Sequence, residues 1–297
     1  MLPEHQLPGQ QLPGHRLPGH SIPSGRARLA AWADGHGCPV VFLHANVCDS
    51  RMWQAPWAAV QAVGRAIAYD RRGFGHSQAQ AEDYSGVADL MAVIAALAGD
   101  APAILVGCSQ GGRIAIEAAL RHPAAIRGLV LIAPSGGGGT AEPAHPPAIA
   151  SLLARQQAAL AAGELEQVNA IKARLWLDGP LAPEGRVQGP VRQLFLAMNG
   201  LALRAPPVGA NTDAGFGLER LGELRLPCLV MAGALDFPHI QDRCRRIAAA
   251  IPGASTGLLA GVAHLPSLER PAVVTPPLLA FLRRLSGCLS GRQASPG

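Results

Sequence analysis

The chain has 297 residues and a mass of 30.7 kDa, with 49% hydrophobic and only 15% charged residues. That balance excludes a wholly disordered chain, and the length suits one large α/β domain or two smaller units. The net charge is +5, but the 25 Lys and Arg (Lys172 is the single Lys) never run longer than pairs such as Arg71-Arg72 and Arg245-Arg246; a nucleic-acid partner, which needs a concentrated basic face, is not expected.

Residues 1–25 form a five-residue repeat, Leu-Pro-Glu-His-Gln, Leu-Pro-Gly-Gln-Gln, Leu-Pro-Gly-His-Arg, Leu-Pro-Gly-His-Ser and Ile-Pro-Ser-Gly-Arg. A Pro in every repeat opposes helix and sheet ladders, and one aliphatic residue per repeat buries too little to offset the ordering entropy. The expectation is a disordered tail over 1–25. His5, His15 and His20 within it have no fixed geometry and make a poor metal site. The chain start carries no apolar core of a secretory signal, and no stretch of about 18 apolar residues offers a membrane span. The expected location is the cytoplasm, with no membrane association.

From Arg26 the pattern becomes regular. Strands are predicted at Arg26–Trp32, Pro39–His44, Arg65–Asp70, Ala103–Gly107 and Arg127–Ala133, with helices at Trp53–Val63, Val87–Leu97 and Gly111–Arg121 between them. Short apolar runs alternating with helices indicate βαβ units and a mostly parallel sheet covered on both faces. The rhythm breaks at Pro134. A Gly-rich joint, Ser135 to Gly139, leads into three predicted helices, Ala148–Ala162, Leu165–Leu177 and Val187–Leu203, with no strand between them. Strands then resume at Cys228–Ala232 and Thr256–Leu259, with helices at Gln241–Ala250 and Ala272–Leu285. The division is therefore a tail over 1–25, an α/β core over 26–134 and 213–286, a helical insertion over 135–212, and a loose end over 287–297.

The strand at Ala103–Gly107 runs into Gly107-Cys108-Ser109-Gln110-Gly111 and then a helix. This is G-x-S-x-G in the strand–turn–helix setting that gives it meaning. The glycines permit a sharp turn that holds Ser109 strained and lifts its Oγ above the sheet edge. Gln110 then opens a helix, and its N–H can stabilise an oxyanion. A serine nucleophile needs a base, and the base an orienting acid. His264 follows the last predicted strand and Asp236 the one before it, so both belong on the sheet edge that carries Ser109. A second oxyanion donor should come from the loop after Pro39–His44, with the N–H of Ala45 placed ahead of that of Asn46. His44 reads as a loop-shaping residue and Cys108 as a thiol pointing away from the turn. Six cysteines without C-x-x-C spacing give neither a zinc pattern nor a disulfide framework. No metal or organic cofactor is expected.

Four stretches together carry a resemblance: His44-Ala45-Asn46-Val47-Cys48-Asp49-Ser50-Arg51-Met52-Trp53, Tyr69-Asp70-Arg71-Arg72-Gly73-Phe74-Gly75-His76-Ser77, the turn at Ser109, and the Asp236 and His264 segments. On these the chain resembles α/β-hydrolase-fold enzymes of the esterase, lactonase and haloperoxidase-like group. The first stretch is similar to that of the 3-oxoadipate enol-lactonase-like branch. The resemblance implies the chain order Ser, Asp, His for a catalytic triad and makes 135–212 a cap over the site. It assigns the Asp70–Ser77 stretch to shaping a loop. Members of the fold that attack an sp³ carbon carry Asp at the turn, so Ser109 implies acyl chemistry on a small ester or lactone. The same triad would also serve a C–C bond hydrolase, a perhydrolase or an acyltransferase, and the fold can serve as a ligand receptor. The oligomeric state is not legible.

Overall fold

The structure is a computed structural model that describes residues 19–137 and 145–285. Its centre is one nine-stranded sheet in the order β1 (His20–Ser24), β2 (Ala27–Asp34), β4 (Arg65–Tyr69), β3 (Pro39–Leu43), β6 (Ala103–Cys108), β7 (Ile126–Ile132), β8 (Cys228–Gly233) and β9 (Ser255–Leu259), with β5 (Gln78–Ala79) paired to β2. The pairs from β4 through β9 are parallel, and β1 and β2 run antiparallel at one edge. The predicted mostly parallel sheet flanked by helices is the observed architecture.

The central strands are buried along almost their whole length because both faces are covered. Strand alternation divides the core in two. Val41 and Leu43 of β3 point to the face packed by α2 (Gly86–Leu97), α3 (Gln110–Arg121) and α7 (Pro238–Ala250). Val40 and Phe42 point to the face packed by α1 (Gln54–Gln61) and α9 (Pro271–Arg284).

The N-terminal expectation needs one correction. Residues 1–18 lie outside the described residues, but His20–Ser24, assigned by sequence to the tail, form β1. Ile22 buries its side chain opposite Leu29, and Pro23 stays exposed on an edge strand, where a missing backbone donor is tolerated. The predicted loose end, 287–297, lies outside the described residues, as do Gly138 and Gly139 of the predicted joint.

The insertion between β7 and β8 contains α4 (Pro147–Ala161), α5 (Leu165–Lys172) and α6 (Gly189–Arg204). The helix predicted over Leu165–Leu177 changes form midway, continuing as a π-helical turn at Ala173–Asp178. The third helix begins at Gly189 rather than Val187, because the Val187 N–H donates to the buried Asp178 carboxylate at 3.0 Å. The returning chain is docked to the core before Asp213. Tyr84 N–H donates to Ala210 O at 2.9 Å, and Thr212 N–H to Tyr84 O at 2.8 Å. Among the described residues no helix is long and apolar enough to cross a membrane.

Candidate active site

The segments that follow β3, β6, β8 and β9 all leave the same edge of the sheet, and the predicted residues stand on them. At the end of β6, Ser109 has φ 52° and ψ −116°, a conformation that L-residues other than glycine rarely hold. Its neighbours fix it there. Ser109 N–H donates to Ile132 O at 2.9 Å, and its carbonyl accepts from Arg113 N–H at 3.1 Å and Ser135 N–H at 3.0 Å. The turn is as tight as the glycines allow, since a Cβ on Gly111 would stand 2.2 Å from Leu43 O. Gln110 is the first residue of α3, so its N–H belongs to the helix end whose donors lack an intrahelical acceptor.

Asp236 follows β8 and His264 follows β9; both are buried. His264 Nδ1–H donates to Asp236 Oδ2 at 2.7 Å, while Asp236 Oδ1 accepts from Phe237 N–H at 2.7 Å. This arrangement fixes the imidazole tautomer and leaves Nε2 as the basic nitrogen. The two loops come this close because β8 ends on Gly233, where a Cβ would meet Ala263 O at 2.0 Å. Next to Ser109, Cys108 Sγ reaches His264 O at 3.6 Å, tying β6 to the histidine loop. Burial raises the Cys108 thiol well above its usual range, and the fixed geometry turns it away from the turn, as the sequence indicates.

Glu269, Arg186 and Trp176, none of which the sequence placed at the histidine, surround it. The Glu269 carboxylate, in the short helix Pro266–Glu269, accepts from Ala263 N–H at 2.9 Å and Leu265 N–H at 3.1 Å. Arg186 of the insertion reaches the same carboxylate at 2.5 Å. From the π-helical turn, Trp176 lays its ring 4.7 Å from the His264 ring centroid and 5.1 Å from that of Phe237. Other apolar residues of the insertion, Leu175, Leu177, Phe195 and Met198, are core.

The loop after β3 corrects one expectation. The Ala45 N–H donates to Met52 Sδ at 3.4 Å and Ala45 is fully buried, so that N–H is turned into the loop and not toward Ser109. Asn46, the second choice by sequence, is exposed and lines the cavity beside Gln110. Which of two successive N–H groups faces a site is set by peptide orientation, which residue type does not encode. His44 shapes the loop as expected. Its Nε2 accepts from Arg71 N–H at 3.0 Å, so Nδ1–H donates to Ala45 O at 2.8 Å. Burial, then Arg71, pull its pKa well below the ordinary histidine value. The Asp70–Ser77 stretch also shapes loops: Asp70 accepts from Ser50 N–H and His76 N–H, each at 2.8 Å.

A cavity of about 410 Å³ opens beside Asn46 and Gln110 and runs under the end of α6. Among the described residues no group of three or more His, Cys, Asp or Glu is arranged to hold a metal ion.

The chain has relatives among known proteins. The chain is 28% identical over 266 residues to the polyketide synthase ThaQ of Burkholderia thailandensis, covering 87% of this chain but spanning only 12% of that much longer protein. It is 28% identical over 240 residues to the pimeloyl-[acyl-carrier protein] methyl ester esterase of Edwardsiella ictaluri, covering 78% of this chain and 88% of the esterase. The solved enol-lactonase from Burkholderia xenovorans LB400 shares the fold, with a TM-score of 0.67, 23% identity, and coverage of 90% of this chain and 100% of the lactonase. Residues 40–276 match the alpha/beta hydrolase family as a whole. The chain therefore belongs to the alpha/beta hydrolase family.

Proposed function

We propose that the chain is a serine hydrolase that cleaves a carboxylic ester or lactone through an acyl-enzyme. The observation that carries this reading is the strained Ser109 on the sheet edge from which the His264–Asp236 pair also projects. Ser109 Oγ attacks the carbonyl carbon while His264 Nε2 takes its proton. The carbonyl π electrons move to oxygen, and the N–H groups of Gln110 and Asn46 stabilise the resulting charge. The tetrahedral species collapses, the C–O bond to the alcohol breaks, and His264 returns the proton to the leaving oxygen. Water then attacks the acyl-enzyme with His264 as base, releasing the acid and restoring Ser109. For a lactone the alcohol stays tethered to the acyl chain. Asp236 fixes the tautomer and stabilises the imidazolium throughout. The helical insertion serves as a cap, a role supported by Trp176 against His264 and Arg186 against Glu269.

The test is hydrolysis of a short- and medium-chain p-nitrophenyl ester panel by wild type and Ser109→Ala, with fluorophosphonate labelling beside it. The reading expects turnover and label in the wild type and neither in the variant. Equal turnover in both would overturn Ser109 as nucleophile. No turnover and no label in the wild type would point to a receptor instead.

A further inference from the structure

Between the π-helical turn and α6 the insertion runs through residues 179–188 without regular secondary structure. The buried Asp178 carboxylate holds this stretch. It accepts from Gly185 N–H at 2.9 Å and Val187 N–H at 3.0 Å, and it pairs with Arg192 at 2.9 Å. Arg186 stands between those two N–H groups, so its side chain leaves a fixed stretch of main chain. Across the seam the core is built the same way: the buried Glu269 carboxylate accepts from the N–H groups of Ala263 and Leu265, which flank His264.

Arg186 joins the two. Its Nη2 donates to Glu269 Oε2 at 2.5 Å and to Leu177 O at 2.8 Å, its Nε to Asp178 O at 2.7 Å, and its Nη1 to Gly261 O at 3.1 Å. Leu177 and Asp178 belong to the insertion, Gly261 and Glu269 to the histidine loop and the short helix after it. The rigid fork of a guanidinium suits such a junction, whereas a Lys ammonium has three donors on a flexible stem. Burial raises the Glu269 pKa, and Arg186 leads the groups that lower it, so the insertion helps keep ionised the carboxylate that holds the loop. Beside the junction the two main chains touch. A Cβ on Gly179 would stand 2.5 Å from Leu235 O and 2.6 Å from Ala263 Cβ, in the residues that precede Asp236 and His264. A cover that only encloses a substrate has no need of these contacts. We infer that Arg186 is a positioning residue that ties the placing of His264 to the seating of the insertion, so that the His264–Asp236 pair is set for proton transfer only while the insertion is docked. An insertion that lifts to admit a substrate leaves His264 loose, and its return restores the base over the bound ester.

The inference rests on the hydrolase reading, and one arm of its test needs no turnover. Residue-resolved amide hydrogen exchange is measured on the full-length wild type, Arg186→Gln and Arg186→Lys, with thermal midpoints recorded for each. In Arg186→Gln, exchange at Ala263 and Leu265 is expected to rise about tenfold to a hundredfold, the worth of a charged hydrogen bond, while the amides of β6 keep their rates. Arg186→Lys, which keeps the charge without the fork, is expected to fall between the two. If Arg186→Gln does not fold, the Lys variant carries the comparison with the wild type. The second arm is steady-state kinetics on the ester panel. Arg186→Gln is expected to lower kcat about tenfold to a hundredfold with KM little changed, and Arg186→Lys to recover part of the loss. Unchanged exchange at Ala263 and Leu265 in a folded variant, or a loss confined to KM, overturns the inference and leaves Arg186 as a fastening of the cover. If the wild type neither turns over an ester nor takes the fluorophosphonate label, faster exchange at both amides in the variant supports the tie and sinks the hydrolase reading alone.

Discussion

Glu269 holds His264 through the N–H groups of the residues on either side of it. One buried carboxylate accepts the N–H groups of Ala263 and Leu265, so the imidazole enters the site from a fixed stretch of main chain. Glu269→Gln would oppose an amide NH₂ to N–H donors and leave Arg186 without its counter-charge. The expected result is a kcat lowered about tenfold to a hundredfold with KM little changed, and a stability loss of about 2 kcal/mol. Steady-state kinetics and urea denaturation check this. An unaltered kcat in a folded variant would show that His264 is positioned without it.

Asp236→Asn tests the orientation of His264 as the proposed base. The Asn oxygen would satisfy Phe237 N–H, so its NH₂ would face His264 Nδ1 and force the proton onto Nε2. In the proposed mechanism His264 would then present a proton to Ser109 rather than a lone pair. A kcat loss of about 10³–10⁴ near neutral pH is expected. A loss below tenfold would mean that another group orients His264.

Gly233→Ala places a methyl 2.0 Å from Ala263 O, whereas nothing lies within 4 Å of a methyl added at Gly222. The first substitution must push the histidine loop off β8. Its expected signature is a stability loss of roughly 3 kcal/mol or more together with loss of activity, against a near-wild-type Gly222→Ala. Thermal melts of the two variants decide it, and indistinguishable midpoints would contradict the packing described here.

Asp70 gives a pH prediction. Burial first, then the neighbouring Asp49, push its pKa from 3.8 up to about 7, against the pull of its bonds from His76 and Ser50 N–H. A carboxyl raised on folding favours the native state when protonated. Its contribution is therefore complete below about pH 3.8 and is lost as pH rises through about 7. Denaturant titrations of wild type and Asp70→Asn across this window should show the wild-type advantage shrinking with pH, by on the order of a few kcal/mol. A difference that stays flat or grows with pH would refute it.

The elements around Ser109 were legible because their physics is local. An apolar run, a glycine-permitted turn and a helix start occupy neighbouring positions, and the buried strand Cys228–Gly233 before Asp236 follows the same pattern. What stayed hidden depends on partners distant in sequence. β1 hides because Ile22-Pro23-Ser24 continues the proline period of the tail, and only pairing with β2 makes it a strand. Glu269 carries no signal beyond its closeness to His264, because its partners are backbone groups. The turn of the Ala45 N–H into its own loop stayed hidden because no residue type announces which way its peptide faces.

The π-helical turn at Ala173–Asp178 is what aims Trp176 at His264. Such a turn accommodates an extra residue within an α-helix, and each residue of an α-helix advances about 100° around its axis. Deleting one residue there would restore the ordinary winding and swing the indole away from the imidazole while the sheet kept its register. The ceiling over the histidine can thus be re-indexed by a single inserted or lost codon. This gives the scaffold a route to new substrates in which Ser109, Asp236 and His264 stay where they are.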